Sequence, residues 1–289
     1  MHYMNFIEKF LVALDSKMPV PTDYGWFHLM FIGLALVTTV LLCVFAKNAK
    51  YKSVRWIVAG FWIAMVVLEV YKQINFSFDY DLSTGKTWWD YEWYAFPYQL
   101  CSTPIYLLPF VAFCKEGKFR DAIIAFIGTF AMFGGLVTFI YPGDVFISTI
   151  GINIQTMVHH GSQIALGIFL MVHERKKLNI WYFLRGMYVF LAMTAIAFFL
   201  NVMAPLFTTE TFNMFYIGPH FPCTLPLLGD VVYPNVPYIV FLLIYIIGFV
   251  IIGFTFFMIY FGLTKLFLKD RSQISFLGKK KVGKNEQKA

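Results

Sequence analysis

Long apolar runs, broken at regular intervals by short polar segments, dominate the pattern of this chain. A helix that crosses a bilayer needs roughly 20 mostly apolar residues. The pattern therefore predicts an all-α, polytopic membrane protein. Its seven transmembrane helices are expected at 26–46, 54–74, 96–114, 121–141, 151–172, 181–201 and 238–266.

Three segments outside these spans complete the expected organisation. Residues 1–25 carry a short apolar run between charged residues, which predicts an interfacial N-terminal helix. Residues 202–237 contain six prolines among Phe, Met and Tyr and are too apolar for a free loop. Irregular backbone at membrane depth has to be covered by protein or water, so this segment predicts a cap over the outer end. Residues 267–289 form a basic tail, and no second domain is expected.

Composition supports a membrane location. Hydrophobic residues make up 59% of the chain and charged residues only 13%, whereas soluble proteins hold about 25% charged residues. An aromatic content of 20% excludes a disordered chain, and four cysteines are too few for a disulfide scaffold. The net charge of +7 lies in clusters between the spans, so we expect no nucleic-acid partner.

Orientation follows from the loops, because Lys and Arg concentrate on the cytoplasmic side of membrane proteins. The loops after the first, third and fifth spans and the C-terminal tail are basic, which predicts an outside N-terminus and a cytoplasmic C-terminus. The remaining loops carry mostly acidic residues: Asp79, Asp81, Asp90, Glu92, Asp144, Glu210 and Asp230. A chain of this orientation would lie in the plasma membrane if it is bacterial.

Polar residues within the spans cluster in the predicted outer halves, while the inner halves are almost purely apolar. Such residues are costly in a bilayer and usually mark a site or pathway. Their one-sided distribution favours an outer cavity over a channel. The cluster comprises His28, Glu69, Lys72, Gln73, Gln99, Cys101, Asn153, Gln155, His159, His160 and Asn201.

The third span carries the most specific local chemistry. Pro97 stands where a helix could begin, and Cys101 follows about one turn later, where the positive helix end favours a nucleophilic thiolate. Pro104 removes the partner of the Leu100 carbonyl, so we expect a kink beside Cys101, and Pro109 could repeat it. The alternative interpretation is that Cys101 is a small packing residue.

The fifth span offers a general base. His159 and His160 are adjacent and point about 100° apart, so one of them is expected to face the site. Gln155 and Gln163 share a face with His159, while Gln163 also borders the face of His160. Packing between helices is the alternative role for both imidazoles. Glu69 could orient an imidazole, or it could simply neutralise the nearby Lys72.

Several short motifs resemble the bacterial YwaF-like integral membrane family, which is related to eukaryotic transmembrane protein 164. In chain order they are Phe27-His28-Leu29, Phe96-Pro97-Tyr98-Gln99-Leu100-Cys101, Tyr141-Pro142-Gly143-Asp144, His160-Gly161, Asn213-Met214-Phe215-Tyr216, Leu227-Leu228-Gly229-Asp230 and Pro237-Tyr238. The resemblance omits both termini and implies a seven-span protein. The eukaryotic relatives are described as cysteine-dependent acyltransferases acting on phospholipids. That role implies Cys101 as the nucleophile and His160 as the base, with His159 the alternative.

The leading functional hypothesis is a membrane acyltransferase or acyl hydrolase with membrane phospholipids as partners. No glycine-rich phosphate loop or haem signature occurs, so no cofactor or metal is expected. The alternative is a non-enzymatic transporter or small-ligand receptor that uses the same outer cavity, and a disulfide between Cys101 and Cys223 would fit that alternative. Residues expected to bind or orient the substrate are Glu69, Gln99, Gln155, Gln163, Asn201 and His28.

Overall fold

A computed structural model describes residues 4–143, 145–267 and 275–278. Asp144 and most of the basic tail, on which the predicted orientation partly depends, lie outside this part of the chain. The described helices, in chain order, are α1 Phe6–Leu14, α2 Trp26–Leu41, α3 Tyr51–Asn75, α4 Thr103–Phe113, α5 Lys118–Phe126, α6 Met132–Ile140, α7 Ile150–His173, α8 Ile180–Met203 and α9 Tyr238–Phe267.

Two of these helices are extended by π-helical turns, which the sequence pattern did not predict. One turn, Leu42–Ala46, continues α2, and the other, Ile127–Ala131, joins α5 to α6. Within the described residues, five helical segments are long and apolar enough to cross a membrane: Trp26–Ala46, Tyr51–Asn75, Lys118–Ile140, Ile180–Leu206 and Tyr238–Phe267. Helical architecture and multiple apolar helices are thus confirmed.

Helix α7 is the buried centre of the fold. It packs against α2, α3, α6 and the π turn between α5 and α6. Most of its side chains are buried, including its two glutamines and its adjacent histidines. Because neighbouring helices shield α7, it can carry polar residues that a lipid-facing helix could not. The polar side chains of the candidate site are therefore held inside the protein.

Helix α4 begins later than predicted. The sequence predicted a helix over 96–114, but residues 96–99 are not helical and a short 3-10 helix, Leu100–Ser102, precedes α4. The expected kink at Pro104 is also wrong, because Pro104 lies in the first turn of α4, where the missing amide proton costs no hydrogen bond. The Leu100 carbonyl instead accepts from the Thr103 hydroxyl over 2.7 Å.

Pro109 lies inside α4, and its neighbour on α3 compensates for it. A proline at this position leaves the carbonyl four residues earlier, that of Ile105, without its helical donor. The indole Nε1 of Trp62 donates to that oxygen over 2.9 Å. The Trp62 side chain on α3 therefore replaces the hydrogen-bond donor that Pro109 removes from α4.

A β-hairpin follows α3 and was not predicted. Strands β1 Phe78–Asp81 and β2 Lys86–Trp89 pair antiparallel, with Gly85 at φ 72° in the connecting turn. Hydrogen bonds from Ser83 and Thr84 to the Asp81 carboxylate lower its pKa to about 2. These bonds fix the turn in a loop that the sequence marks only as acidic.

Charged residues cluster at the end of α7 that leads into the 3-10 turn Arg175–Lys177. Arg120 is fully buried, lies 3.1 Å from Glu174 and stacks 4.6 Å from the centre of the Tyr51 ring. Lys177 lies 2.7 Å from the other Glu174 oxygen. Burial raises the pKa of Glu174, but hydrogen bonds from His173 and Lys177 outweigh it and lower that pKa to about 2. This basic end is therefore cross-linked by ion pairs between α5 and the α7–α8 loop.

Candidate active site

Cys101 lies in the 3-10 helix immediately before α4. Its side chain is half-buried, and its thiol is free, as are those of Cys43, Cys114 and Cys223. The expected alternative of a Cys101–Cys223 disulfide is therefore not formed. The sequence predicted Cys101 about one turn inside the helix, but the residue lies in the 3-10 turn that precedes α4.

The backbone carbonyl of Cys101 is the point where α7 meets this turn. His159 donates from Nε2 to that oxygen over 2.8 Å, and the side-chain amide of Gln163, one turn further along α7, donates to the same oxygen. Since a carbonyl only accepts, the His159 proton lies on Nε2 and its Nδ1 carries a lone pair. His159 is 2% exposed, and Nδ1 has no hydrogen-bond partner among the described residues. His159 thus binds the backbone of Cys101 through Nε2, while its Nδ1 is buried and has no hydrogen-bond partner among the described residues, the Cys101 thiol included.

His160 has a different partner. Its Nδ1 donates over 2.7 Å to the carbonyl of Thr156, in the preceding turn of α7. The imidazole therefore carries a proton on Nδ1, and Nε2 is the nitrogen that could accept one when the ring is neutral. The two rings meet edge to face with centroids 5.5 Å apart. Each histidine donates one ring proton to a backbone carbonyl, and His159 is the one whose carbonyl partner belongs to Cys101.

The glycine pair in α6 lets α7 and the cysteine turn approach closely. A Cβ at Gly135 would lie 2.8 Å from the carbonyl oxygen of His160 and 3.2 Å from Gln163. A Cβ at Gly134 would lie 3.8 Å from that of Cys101. Gly135 is therefore a close-packing contact directly behind the candidate site, whereas a methyl group at Gly134 would make only ordinary contacts.

Glu69 is the centre of a polar network between α3 and α7. Its carboxylate accepts from Gln73 over 2.7 Å, from Lys72 over 3.1 Å and from Gln155 over 3.2 Å. The predicted Glu69–Lys72 ion pair is thus formed. Gln73, whose side-chain oxygen accepts from the Tyr91 hydroxyl over 2.8 Å, joins the network. The sequence placed Gln73 in the outer polar cluster but not among the residues expected to bind or orient a substrate. Its position one helical turn after Glu69 predicts that the two side chains can meet on the same face of α3.

Gln99 and Asn201 hold the chain that follows α8. Gln99 donates to the carbonyl of Asn213 over 2.9 Å and accepts from the amide of Phe215 over 2.8 Å. Asn201 donates to the carbonyl of Met214 over 2.8 Å and accepts from its amide over 2.7 Å. Both side chains thus bind protein backbone, although we had expected them to bind or orient a substrate. Segment 213–215 is fixed to the turn that carries Cys101.

His28 lies in a separate cluster. It is fully buried and packs against Phe139 and Phe146, and its Nδ1 accepts from the amide of Tyr24 over 3.0 Å. These contacts join α2 to the end of α6 and to the loop that follows it. Within the described residues, no group of three or more His, Cys, Asp or Glu side chains is arranged to hold a metal ion.

The fold and this arrangement define a multi-pass helical membrane protein with a cysteine turn and a histidine pair held between its helices. The TMEM164 family model matches residues 23–262, so the chain belongs to the TMEM164 family. This confirms the resemblance to transmembrane protein 164, and the matched region includes Cys101 and both histidines of the pair. No curated protein and no solved structure matches the chain.

Proposed function

We propose that the protein is a membrane acyltransferase or acyl hydrolase that acts on phospholipid acyl esters through a Cys101 nucleophile. The observation that carries the proposal is the buried, unpartnered Nδ1 of His159 in an imidazole bonded to the Cys101 residue. Activation of a thiol requires such a neighbouring base. The family match supports the proposal in that it covers the region containing Cys101 and both histidines, the residues to which the sequence resemblance assigns this chemistry.

The reaction proceeds in two steps. In the proposed first step the Cys101 side chain turns to bring its thiol to Nδ1 of His159, which has no partner in the described part of the resting protein. Nδ1 accepts the thiol proton, and the thiolate attacks the carbonyl carbon of the lipid ester. The ester C–O bond breaks, the lysophospholipid leaves with the proton from the imidazolium, and an acyl thioester forms on Cys101. An acceptor hydroxyl or water then attacks the thioester, its C–S bond breaks, and the sulfur regains a proton. Covalent catalysis divides one difficult transfer into two easier ones.

His159 takes the base role in this proposal, and His160 is the alternative that the family resemblance favoured. Gln163 shares the Cys101 carbonyl with His159 and thereby holds the turn in register with α7. Glu69 acts indirectly: its hydrogen bond with Gln155 fixes α7 one turn before His159. These side chains position the base and do not themselves transfer protons.

The proposal also includes a membrane topology that places Cys101 on the outer side. We propose seven spans, with α4 and α7 added to the five long apolar segments, an outside N-terminus, an outer cap at 202–237, and a plasma-membrane location in the YwaF-like bacterial branch. The basic loops and the position of Cys101 at the opposite end of α4 support this orientation. A cysteine introduced at Ser83, in the hairpin turn, should react with an impermeant thiol reagent on intact cells, whereas one at Lys176 should not. The reverse labelling would overturn the orientation.

The proposed chemistry is tested by acylation of the purified protein. Detergent-purified protein is incubated with a phospholipid mixture, and a hydroxylamine-labile acyl adduct is sought by intact mass. Wild type and the matched control Cys223→Ser should carry the adduct, and Cys101→Ser should lose its thioester form. His159→Gln keeps a donor for the Cys101 carbonyl but lacks a base, so the adduct should form about 10²–10⁴ times more slowly.

Two results would contradict parts of this proposal. A loss of rate in His160→Gln with a normal rate in His159→Gln would transfer the base role to His160. Absence of an adduct with every lipid tested would reject the enzyme and favour the transporter or receptor alternative.

A further inference from the structure

A second feature, remote from Cys101, lies at the basic end of the fold. A groove of about 380 Å³ opens between the start of α3 and the end of α4, and it is lined by Tyr51, Lys52, Arg55, Trp56, Ala112 and Phe113. This lining combines two cations with aromatic and aliphatic walls and, among these described residues, no carboxylate. The groove has no role in the proposed reaction.

The wall of the groove is built in advance. Arg55 donates from Nε to the carbonyl of Ala112 and, over 2.9 Å, from Nη2 to that of Phe113, while the Tyr51 hydroxyl donates to the carbonyl of Cys114. These bonds satisfy carbonyls that the end of α4 leaves without helical partners. They also hold the Arg55 guanidinium in one place, 5.5 Å from the centre of the Tyr51 ring. A ligand would therefore meet an ordered surface.

Lys52 supplies the second charge at the mouth of the groove. It lies in the first turn of α3, and its ammonium has no ion pair or hydrogen bond with the described residues. Lys47, Lys50 and Lys115 lie in the neighbouring loops, where Glu116 is paired with Lys177 over 3.5 Å, so this end is net positive. Charge complementarity therefore calls for an anion.

The aromatic residues extend the groove away from the charges. Trp56 lies four residues after Lys52, which is about 6 Å further along α3. Trp56 and Phe113 are 67% and 55% exposed, so both offer apolar surface beside the cations. Tryptophan is typical of the membrane–water boundary, where its ring contacts lipid chains below the headgroups. A free phosphate would use only the charged half of this surface.

We propose that this groove binds one anionic phospholipid, with its phosphate at Lys52 and Arg55 and an acyl chain against Trp56 and Phe113. Under the proposed orientation the lipid belongs to the inner leaflet. The groove volume is at the lower end of the range of small-molecule sites, which suits the headgroup and the first part of a chain. This site is independent of the proposed acyl chemistry, because none of its residues contacts the Cys101 turn.

Native mass spectrometry of the full-length protein in detergent tests the proposal. The probes are phosphatidylglycerol, phosphatidylcholine and glycerol 3-phosphate, each titrated into wild type, Lys52→Gln and Trp56→Ala. Lys50→Gln is the matched control, since it removes the same charge two residues earlier in the chain, at the N-cap of α3, but does not line the groove. We expect one phosphatidylglycerol to bind wild type and Lys50→Gln with equal affinity.

Lys52→Gln should bind this lipid about fivefold more weakly, which corresponds to about 1 kcal/mol for one basic residue near a phosphate. Lys52→Arg should restore binding, and Trp56→Ala should weaken the lipid but not glycerol 3-phosphate. Equal weakening by Lys50→Gln and Lys52→Gln would show diffuse attraction and overturn the site. Equal affinity for phosphatidylcholine, or for glycerol 3-phosphate, would overturn the anionic lipid as its occupant.

Discussion

Substitution of Gly135 by alanine should disturb the candidate site through packing alone. The added Cβ would lie 2.8 Å from the backbone carbonyl oxygen of His160, whereas ordinary contacts begin at 3.4 Å. Helices α6 and α7 must therefore separate by up to 0.6 Å, the difference between these distances, at that point. The Gln163 Oε1, 3.2 Å away, can rotate aside, but the Gln163 Cβ at the same distance and the His160 carbonyl are fixed to the backbone of α7 and cannot move alone.

The expected cost is about 1–3 kcal/mol, the usual range for an extra methyl group in a packed interior. At about 2–4 °C per kcal/mol for a chain of this size, the midpoint of thermal unfolding should fall by about 2–12 °C. Unfolding in detergent micelles, followed by the reactivity of buried thiols, measures this shift. Acyl-adduct formation by Gly135→Ala should also slow, since the separation lengthens the His159–Cys101 bond.

Gly134→Ala is the matched control. Its Cβ would lie 3.8 Å from that of Cys101, an ordinary van der Waals contact, and alanine favours the helix, so its midpoint should equal or exceed that of wild type. Equal destabilisation by the two substitutions would refute the reasoning, because the same change in helix propensity occurs at both positions and only the packing differs. A stable Gly135→Ala protein would refute it as well.

Three further predictions concern the rest of the fold. Trp62→Phe should lower the free energy of unfolding by about 1–3 kcal/mol, because it leaves the Ile105 carbonyl unpaired. Most of that cost should vanish in a Pro109→Ala background, where residue 109 supplies the helical donor. Additive effects in this double-mutant cycle would contradict the compensating role of Trp62. The pKa of Glu174 is lowered from its ordinary 4.5 to about 2, so its stabilisation is present above pH 4.5 and is lost as the pH falls towards 2. Glu174→Gln should lower the unfolding midpoint at pH 7 and flatten its decline between pH 4.5 and 2.5, and an unchanged pH profile would contradict the assignment. Elemental analysis of active protein should find no stoichiometric zinc or iron, and a metal bound at the histidine pair would require a different mechanism.

Apolar runs were sufficient to predict a helical protein with several helices of membrane length, because a helix that crosses a bilayer needs a long, mostly apolar segment. They were not sufficient to place the start of α4, where Phe96 and Tyr98 extend the apolar run although the backbone there is not helical. The π turns also escaped prediction, since an extra residue in a turn changes hydrogen bonding but not hydropathy. The hairpin was missed because its alternation is short and lies within an acidic loop.

For the candidate site, sequence reasoning identified the residue types but not their contacts. Cys101 and the histidine pair stood out as polar residues in apolar segments, and the structure brings His159 to the Cys101 turn. The choice between the two histidines depends on which carbonyl each ring faces, which spacing along one helix cannot reveal. The roles of Gln99 and Asn201 depend on a segment more than 100 residues from Gln99, so local patterns held no signal for them.

The two amides that hold segment 213–215 have a consequence for the way this protein can change over generations. Gln99 and Asn201 each donate to one backbone group and accept from another, so a carboxylate at either position could satisfy only half of its partners. A descendant protein that loses one amide would leave a backbone group of segment 213–215 unpaired. A different conformation of that segment would then be favoured, and the second amide would no longer have its backbone partners. The two positions should therefore be retained together or abandoned together among the descendants of a common ancestor.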